Sequence, residues 1–463
     1  MRANPWQLII RLPHQLEEEF GFSRELLLLV TGWADFRVSD LEQVRTLVRA
    51  TPRVEPEAAA FVGDDPRTAD KAYEWGGNDF TLFVLTHDQV ASAVEAGRSP
   101  SIQCLREALQ AGLFGRNFYD ESGPVTGERF FGRSTLLNQI RSDFVHHRTV
   151  GLFGLRKIGK TSLIQQALQR LEPGEIGVYV DLGGERIHKD ARHILVTLVE
   201  RVSRTLSGPE VPSVRWAESP DRFTSSILEW LQRVLGELQE RNLRFILALD
   251  EIEAILPTAE SAGLPYWEDM LGAFRSLWQG HSSFQLIFAG VNPAVFERPS
   301  IGDRDNPVFA FARPTYVKCM SQPEMARMVT TLGKRTGIAW PGEVLDRLYI
   351  ETGGHPYLSR QVCVVVVAGL APPDTVTLPL LEQRLGEVLL MRQDVFHEIF
   401  DSLSRHFPEE LATLQRVAKD GRVRASDLQA SELGHLLGYE LLSLNSGFVE
   451  QRVGLLARWL RQT

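Results

Sequence analysis

The chain is poor in cysteine: Cys104, Cys319 and Cys363 are the only three in 463 residues. They lie far apart and form no CxxC pair, which argues against a disulfide framework or a cysteine zinc site and fits a reducing cytoplasm. Long apolar runs are also missing. Leu26 to Val30 and Val362 to Ala368 fall far short of the roughly 20 residues that span a bilayer, so both are expected in buried cores and no membrane role is expected. The start, Met1-Arg-Ala-Asn-Pro-Trp6, lacks the basic, apolar and small-residue succession of a secretory signal. Excess positive charge is absent too. A formal net charge of −9 provides no general attraction for nucleic acid or anionic lipid, so any DNA contact would have to be local. No repeat period and no low-complexity stretch stands out.

What remains is a globular composition. With 43% hydrophobic and 24% charged residues, the chain can bury more than one core and accommodates about three domains. Apolar runs at Leu26 to Val30, Ala58 to Val62 and Phe80 to Leu85, with helical stretches between them, predict a small α/β domain over residues 1–120. Gly123-Pro124 marks the linker after it. A second α/β domain, 125–314, has short runs without alternation at Thr149 to Phe153, Val178 to Leu182, Phe245 to Leu249 and Leu286 to Ala289. Parallel strands covered on both faces have this pattern. Apolar residues three and four apart, from Ala191 to Val202 and from Phe223 to Leu235, predict helices packed on that sheet. The prolines of Ser207 to Pro212 predict a loop between them. Residues 315–397 read as a helical lid. In 398–463 the expected order is helix Glu409 to Val417, strand Arg422 to Arg424, helix Ser431 to Leu442 and a hairpin over Gly447 to Val453, the order of a winged helix.

The strongest chemical signal is G-x-x-x-x-G-K-[ST], met at Gly154, Gly159, Lys160 and Thr161 between a strand and a helix. Its glycines let successive backbone N–H groups face phosphates, and the helix beginning near Ser162 adds its positive end. Lys160 is expected on the β- and γ-phosphates, and Thr161 on Mg²⁺. About ninety residues on, a strand ends in Asp250-Glu251 at the carboxyl edge where open α/β sheets hold ligands. Asp250 is the candidate for the Mg²⁺ shell, and Glu251 for the group that orients or deprotonates the attacking water. Asn292, after the next strand, is either a γ-phosphate sensor or a turn-forming residue before Pro293. Arg298 and Arg313 have no motif around them and read as solvated arginines. His146-His147 has no acidic or cysteine partner in range, so a metal pair is not expected and surface histidines are.

With these residues placed, the chain over roughly 125 to 463 resembles the STAND and origin-recognition side of the AAA+ P-loop ATPases. The marks are Phe130-Phe131-Gly132-Arg133, the P-loop itself, Leu249-Asp-Glu-Ile252, and Thr352-Gly-Gly-His-Pro-Tyr-Leu358. The resemblance implies that Phe131, Gly132 and Arg133 border adenine and that Pro356 packs on it. It also implies a switch driven by ATP and ADP, of the kind found in bacterial signalling and defence. Nothing resembles the Asn-Lys-x-Asp element that selects guanine, which leaves ATP as the expected nucleotide. The N-terminal domain is then the candidate effector or protein-binding part, or a route to self-assembly. Its strands lack the acid pair with Glu-x-Lys or Asp-x-Lys of nuclease folds, so nuclease activity is not expected. Two alternatives stand beside the switch: a DNA-binding ATPase that uses the winged helix, and a scaffold locked on its nucleotide. Residues 398–463 hold eight Lys or Arg against nine Asp or Glu, and Ser431 to Leu442 has two glutamates and no Lys or Arg, which disfavours the first.

Overall fold

A computed structural model of the protein describes residues 5–33, 35–121, 123–184, 191–206, 220–257 and 263–462, and the chain forms two compact units. The first comprises Met1–Ser122, Ser321–Glu351 and Leu358–Arg392; the second comprises Gly123–Met320, Thr352–Tyr357 and Gln393–Thr463. The loop expected at Ser207 to Pro212 lies outside the described residues.

In the first unit the strands Glu25–Val30, Val54–Val62 and Thr81–Leu85 run parallel in that order, because a helix crosses over between each pair. Helices Val38–Arg49 and Thr68–Gly76 cover one face, where Leu41, Val44 and Ala72 meet Leu29, Ala59 and Phe61. The strand Trp6–Ile10 adds an antiparallel edge that the sequence reading did not foresee. Helix Gln322–Thr336 packs in the same unit. Its Arg335 bonds the fully buried Glu55 at 2.9 Å, and Val329 O accepts from the Tyr119 hydroxyl at 2.9 Å. An ion pair buried this way tolerates loss of neither partner alone.

The second unit is built on a five-stranded parallel sheet in the order Arg313–Tyr316, Val150–Phe153, Phe284–Gly290, Arg244–Asp250, Glu175–Asp181. Ile246, Ala248, Ile287 and Ala289 face helices Ser134–Val145 and Lys160–Gln169. The alternating residues Phe245, Leu247, Leu286 and Phe288 face helices Ala191–Leu206, Pro220–Glu240 and Trp267–Gly280. Each large side chain buried completely, such as Trp267, is worth roughly 2–3 kcal/mol of apolar transfer. His147 differs from the expected surface residue: it stacks on Trp278 at 4.6 Å and bonds Gln285 at 3.0 Å.

The C-terminal part of this unit contains helices Gln393–His406 and Pro408–Asp420 and a small antiparallel sheet, Arg422–Arg424 beside Phe448–Gln451 beside Leu442–Asn445. Ser446 and Gly447 both have positive φ, which the two-residue hairpin turn requires. The helix expected over Ser431 to Leu442 is not continuous. A 3₁₀ turn, Ala430–Glu432, is followed by a five-residue helix, Gly434–Gly438; the backbone reverses at Glu440 and Leu442 opens a strand. Gly434 and Gly438 weaken the helix, and Gly438 allows a contact that a Cβ would close, 2.8 Å from the Tyr316 ring.

This short helix is fixed to the parallel-sheet core. The Tyr439 hydroxyl donates to Val291 O at 2.6 Å, and His435 lies 2.6 Å from Glu410 and 3.6 Å from Glu297. Burial opposes charge on His435, but hydrogen bonds to Glu297 and Glu410 outweigh it and raise the pKa to about 9. A raised folded-state pKa stabilises fully below the unfolded value near 6.5, and the gain is lost as pH climbs through 9. Wild type should therefore lose up to about 3 kcal/mol of stability between pH 6.5 and 9.5, a loss missing from His435→Gln. Denaturant titrations at both pH values measure it. Parallel pH profiles in the two proteins would remove the ion pairs as its source.

Candidate functional site

The loop after strand Val150–Phe153 curls back on itself. Lys157 and Gly159 have φ of 59° and 93°, and Gly154 N–H donates to Gly290 O on the neighbouring strand. Lys160 is the first residue of the following helix and is buried. Its Nζ donates to Gly154 O at 2.8 Å and Leu155 O at 3.0 Å, so the loop closes around its own lysine. Burial pulls the Lys160 pKa below the ordinary value, against the pull of Glu253, Asp250 and Glu251. Ser162 is also buried, and its hydroxyl accepts from Val125 N–H at 3.0 Å, tying the incoming chain to this helix.

Thr161 and Asp250, expected to share a metal, meet directly. Thr161 Oγ1 donates to Asp250 Oδ2 at 2.6 Å, and the Tyr179 hydroxyl donates to the same oxygen at 3.1 Å. Glu251 follows in a left-handed conformation, φ 55°, that aims it away from the strand direction. A Cβ on Gly183 would lie 1.8 Å from Glu251 Oε2, so the missing side chain at 183 makes room for this carboxylate. Burial first, then the neighbouring Asp181 and Asp250, raise the Glu251 pKa. A carboxylate pushed upward in this way is a stronger base. Tyr179, Asp181 and Gly183 were not selected from the sequence. Their one signal was position: they lie at the end of the strand beside the acid pair, with Asp181 opposite Asp250 in register.

Glu253 was missed as well. Its Oε2 accepts from Val291 N–H at 3.0 Å, and a Cβ on Gly290 would be 2.2 Å from it. The Val291 peptide thus carries Glu253 on its N–H and Tyr439 on its carbonyl. Asn292 Oδ1 accepts from Ala294 N–H at 3.0 Å, the turn-forming arrangement, and the residue lines a cavity of about 300 Å³ together with Glu253, Arg298 and Arg405. Arg313 is exposed on the edge strand.

Arg133, with φ 61°, is buried and braces the loop from behind. Its guanidinium donates to Ile158 O, and to Lys318 O at 3.2 Å, and lies 3.5 Å from where a Gly159 Cβ would be. Gly132 also has positive φ, Phe131 is half-buried, and Phe130 packs on the core. Pro356 opens helix Pro356–Val367, where its missing N–H is harmless. Just before it, Gly354 O accepts from Met320 N–H at 2.8 Å. His355 is buried, its pKa lowered to about 3 by burial and then by Arg133, with Lys160 adding to the effect. The structure therefore brings Arg133, the loop and the Gly-Gly-His-Pro turn together.

A cavity of about 490 Å³ opens at the acid pair. One wall holds Arg156, Glu251 and Glu253; the other is helix Gln393–His406, through Glu398, Asp401, Arg405 and His406. Lys157 of the loop pins that helix: its Nζ is 3.1 Å from Glu398 and lies over the Tyr357 ring at 4.5 Å. Burial, then Arg405 and Arg156, lower His406 to about 4, which leaves it neutral at pH 7. Among the described residues no group of three or more His, Cys, Asp or Glu could hold a metal ion by itself, and no helix is long and apolar enough to cross a membrane.

A parallel sheet with a phosphate-type loop, a buried lysine and an acid pair at its carboxyl edge is a P-loop NTPase core. Residues 145–297 match the family model described as the AAA domain. Among solved structures, the Walker-type ATPase paby2304 of Pyrococcus abyssi is similar over 74% of this chain and 99% of that chain, with 15% identity and a TM-score of 0.53. The ORC2 protein of Aeropyrum pernix, in its ADPNP–ADP complexes, gives 12% identity and a TM-score of 0.45 over 76% of this chain and 99% of its own. The RuvB Holliday junction branch migration motor of Thermotoga maritima gives 10% and 0.37 over 71% and 94%. At such identities the likeness concerns the fold alone. No curated protein matches the sequence.

Proposed function

We propose that the chain binds ATP and slowly hydrolyses it in the presence of Mg²⁺, acting as a STAND-type switch whose shape or assembly changes with the nucleotide. The observation that carries this reading is the bond of 2.6 Å between Thr161 and Asp250 at the start of the lysine-bearing helix. A hydroxyl and a carboxylate so placed fit an octahedral, oxygen-loving cation. Thr161 and Asp250 would hold that Mg²⁺, whose charge offsets charge on the phosphates. Glu251 orients a water and accepts its proton as the water oxygen bonds to the γ-phosphorus; the bond to the β-bridging oxygen breaks and ADP leaves. Lys160, whose Nζ lies at the mouth of the loop beside Gly154 O and Leu155 O, would hold the β- and γ-phosphate oxygens while ATP is bound. Asn292 is retained as a candidate sensor, and Phe131, Gly132, Arg133 and Pro356 as the adenine border. The STAND assignment, a bacterial signalling or defence setting and a protein partner for the N-terminal domain rest on the family resemblance, and a cytoplasmic location rests on the few, scattered cysteines.

The DNA-binding alternative is weaker. The short helix where a winged helix would read bases is occupied by contacts with Val291, Tyr316 and Glu297. Salt-dependent duplex binding should accordingly be absent.

The direct test is to purify the protein without added nucleotide, extract and identify what is bound, and follow phosphate release and assembly mass with ATP or ADP, with Mg²⁺ or EDTA. Bound ADP or ATP and Mg²⁺-dependent release are expected. An empty protein that releases no phosphate at millimolar ATP would overturn the reading.

A further inference from the structure

Asp250 is a buried carboxylate, 1% exposed, with no ion-pair partner among the described residues; Lys160 acts on it only at a distance. Burying such a charge is costly unless donors or a cation compensate for it. Three donors of this chain do so in part. Oδ1 accepts from Glu251 N–H at 2.9 Å, and Oδ2 accepts from the hydroxyls of Thr161 at 2.6 Å and Tyr179 at 3.1 Å. A carboxylate oxygen has two lone pairs, so these hydroxyls fill Oδ2, and the chain's own donors use one of the two on Oδ1.

Strand register explains why a tyrosine reaches this carboxylate from two residues before the strand end. Tyr179 lies opposite Ala248, and Asp181 opposite Asp250, so Tyr179 and Asp250 are diagonal neighbours. Ala248 belongs to the face of the sheet that meets helix Lys160–Gln169, and Tyr179 packs on the same cluster. Asp250, two residues on, points to that side as well. Ala248 is small and leaves the ring room to pass. Two residues along a strand cover about 6.6 Å, roughly the reach of a tyrosine side chain. Arg201 of helix Ala191–Leu206 donates to Tyr179 O at 2.8 Å, so the residue is held at its backbone and at its hydroxyl.

We propose that Tyr179 is a positioning residue for the metal: its hydroxyl fixes the orientation of the Asp250 carboxylate, so that uptake of Mg²⁺, and not of nucleotide, depends on it. This rests on the Mg²⁺-dependent ATPase reading above. Thr161 cannot fix the carboxylate by itself, because its hydroxyl is one of the two groups offered to the ion. Tyr179 stands outside that pair and acts through it. Its partner is Asp250 and not Glu251, so removing the hydroxyl leaves the proton acceptor in place.

Tyr179→Phe keeps the ring and removes only the hydroxyl, and melting temperatures control for folding. The Mg²⁺ concentration that gives half-maximal phosphate release should rise about 10-fold, while the rate at saturating Mg²⁺ stays within about threefold of wild type. Binding of Mn²⁺ to the protein with ADP, read by electron paramagnetic resonance, should weaken by the same factor. ADP affinity in EDTA should not change, which separates the metal from the nucleotide. A Mg²⁺ midpoint and a Mn²⁺ affinity equal to those of wild type would overturn the proposal and leave the ATPase reading intact. A lower rate at every Mg²⁺ concentration without a shift of the midpoint would also overturn it, because the hydroxyl would then serve the reaction and not the metal. A wild type with neither Mg²⁺-dependent phosphate release nor Mn²⁺ binding sinks both.

Discussion

Replacing Glu251 by glutamine should slow phosphate release about 100- to 1,000-fold while ATP affinity stays within about threefold. That rate loss corresponds to roughly 3–4 kcal/mol of transition-state stabilisation, the usual size for one general base. Glutamine keeps the volume and one acceptor oxygen, so it still occupies the space beside Gly183 but cannot take the proton. The raised pKa of Glu251, caused by burial and by Asp181 and Asp250, is lost with the carboxylate, and a rate limb at acid pH should vanish with it. Gly183→Ala is the companion. Its new Cβ would meet Glu251 Oε2 at 1.8 Å and push a movable carboxylate aside without touching the sheet, so turnover should fall while melting changes little. Wild-type turnover in both variants would show that another group handles the water, and Glu253, which lines the same cavity, would be the next to substitute.

The chemistry of this site was more legible in the sequence than its surroundings. Gly154, Gly159, Lys160, Thr161, Asp250 and Glu251 announce themselves because residue type, spacing and flanking strands all have to agree. The parallel strands were visible for the same reason, as short unbroken apolar runs that no amphipathic helix would have. The strand Arg313–Tyr316 was hidden by Pro314, which argues against a central strand but is tolerated on an edge that pairs on one side only. Trp6–Ile10 was hidden because its side chains are largely exposed, so burial imposed no alternation. The break in Ser431 to Leu442 came from tertiary demand: Gly438 must let Tyr316 approach, and Tyr439 must reach Val291. Arg405, Tyr179 and Glu253 share a different obscurity. Arg405 and Tyr179 are ordinary residues of a helix and a strand that only the packing of distant segments brings to the acid pair, whereas Glu253, two residues beyond Glu251, gives no sign in the sequence that its side chain turns to Val291 N–H.

Lys160→Ala should weaken ATP binding at least about 100-fold, roughly 3 kcal/mol, because it removes charge-assisted hydrogen bonds to phosphate that no neighbour can replace. Arg133, the nearest other buried cation, is committed to Ile158 O and Lys318 O behind the loop. The effect on folding stability should be much smaller. Truncation leaves Gly154 O and Leu155 O without their lysine, but it also relieves the burial of an ammonium whose pKa is already depressed. These terms oppose each other, so the melting temperature should move by a few degrees at most. Lys160→Met separates chemistry from packing, since it keeps the apolar stem and loses only the charge. If isothermal titration shows Lys160→Met binding ATP as wild type does, the loop is not a phosphate site whatever its geometry suggests. If Lys160→Met and Lys160→Ala lose binding equally, the ammonium group is the cause, and its charge, not the packing of its stem, holds the phosphates.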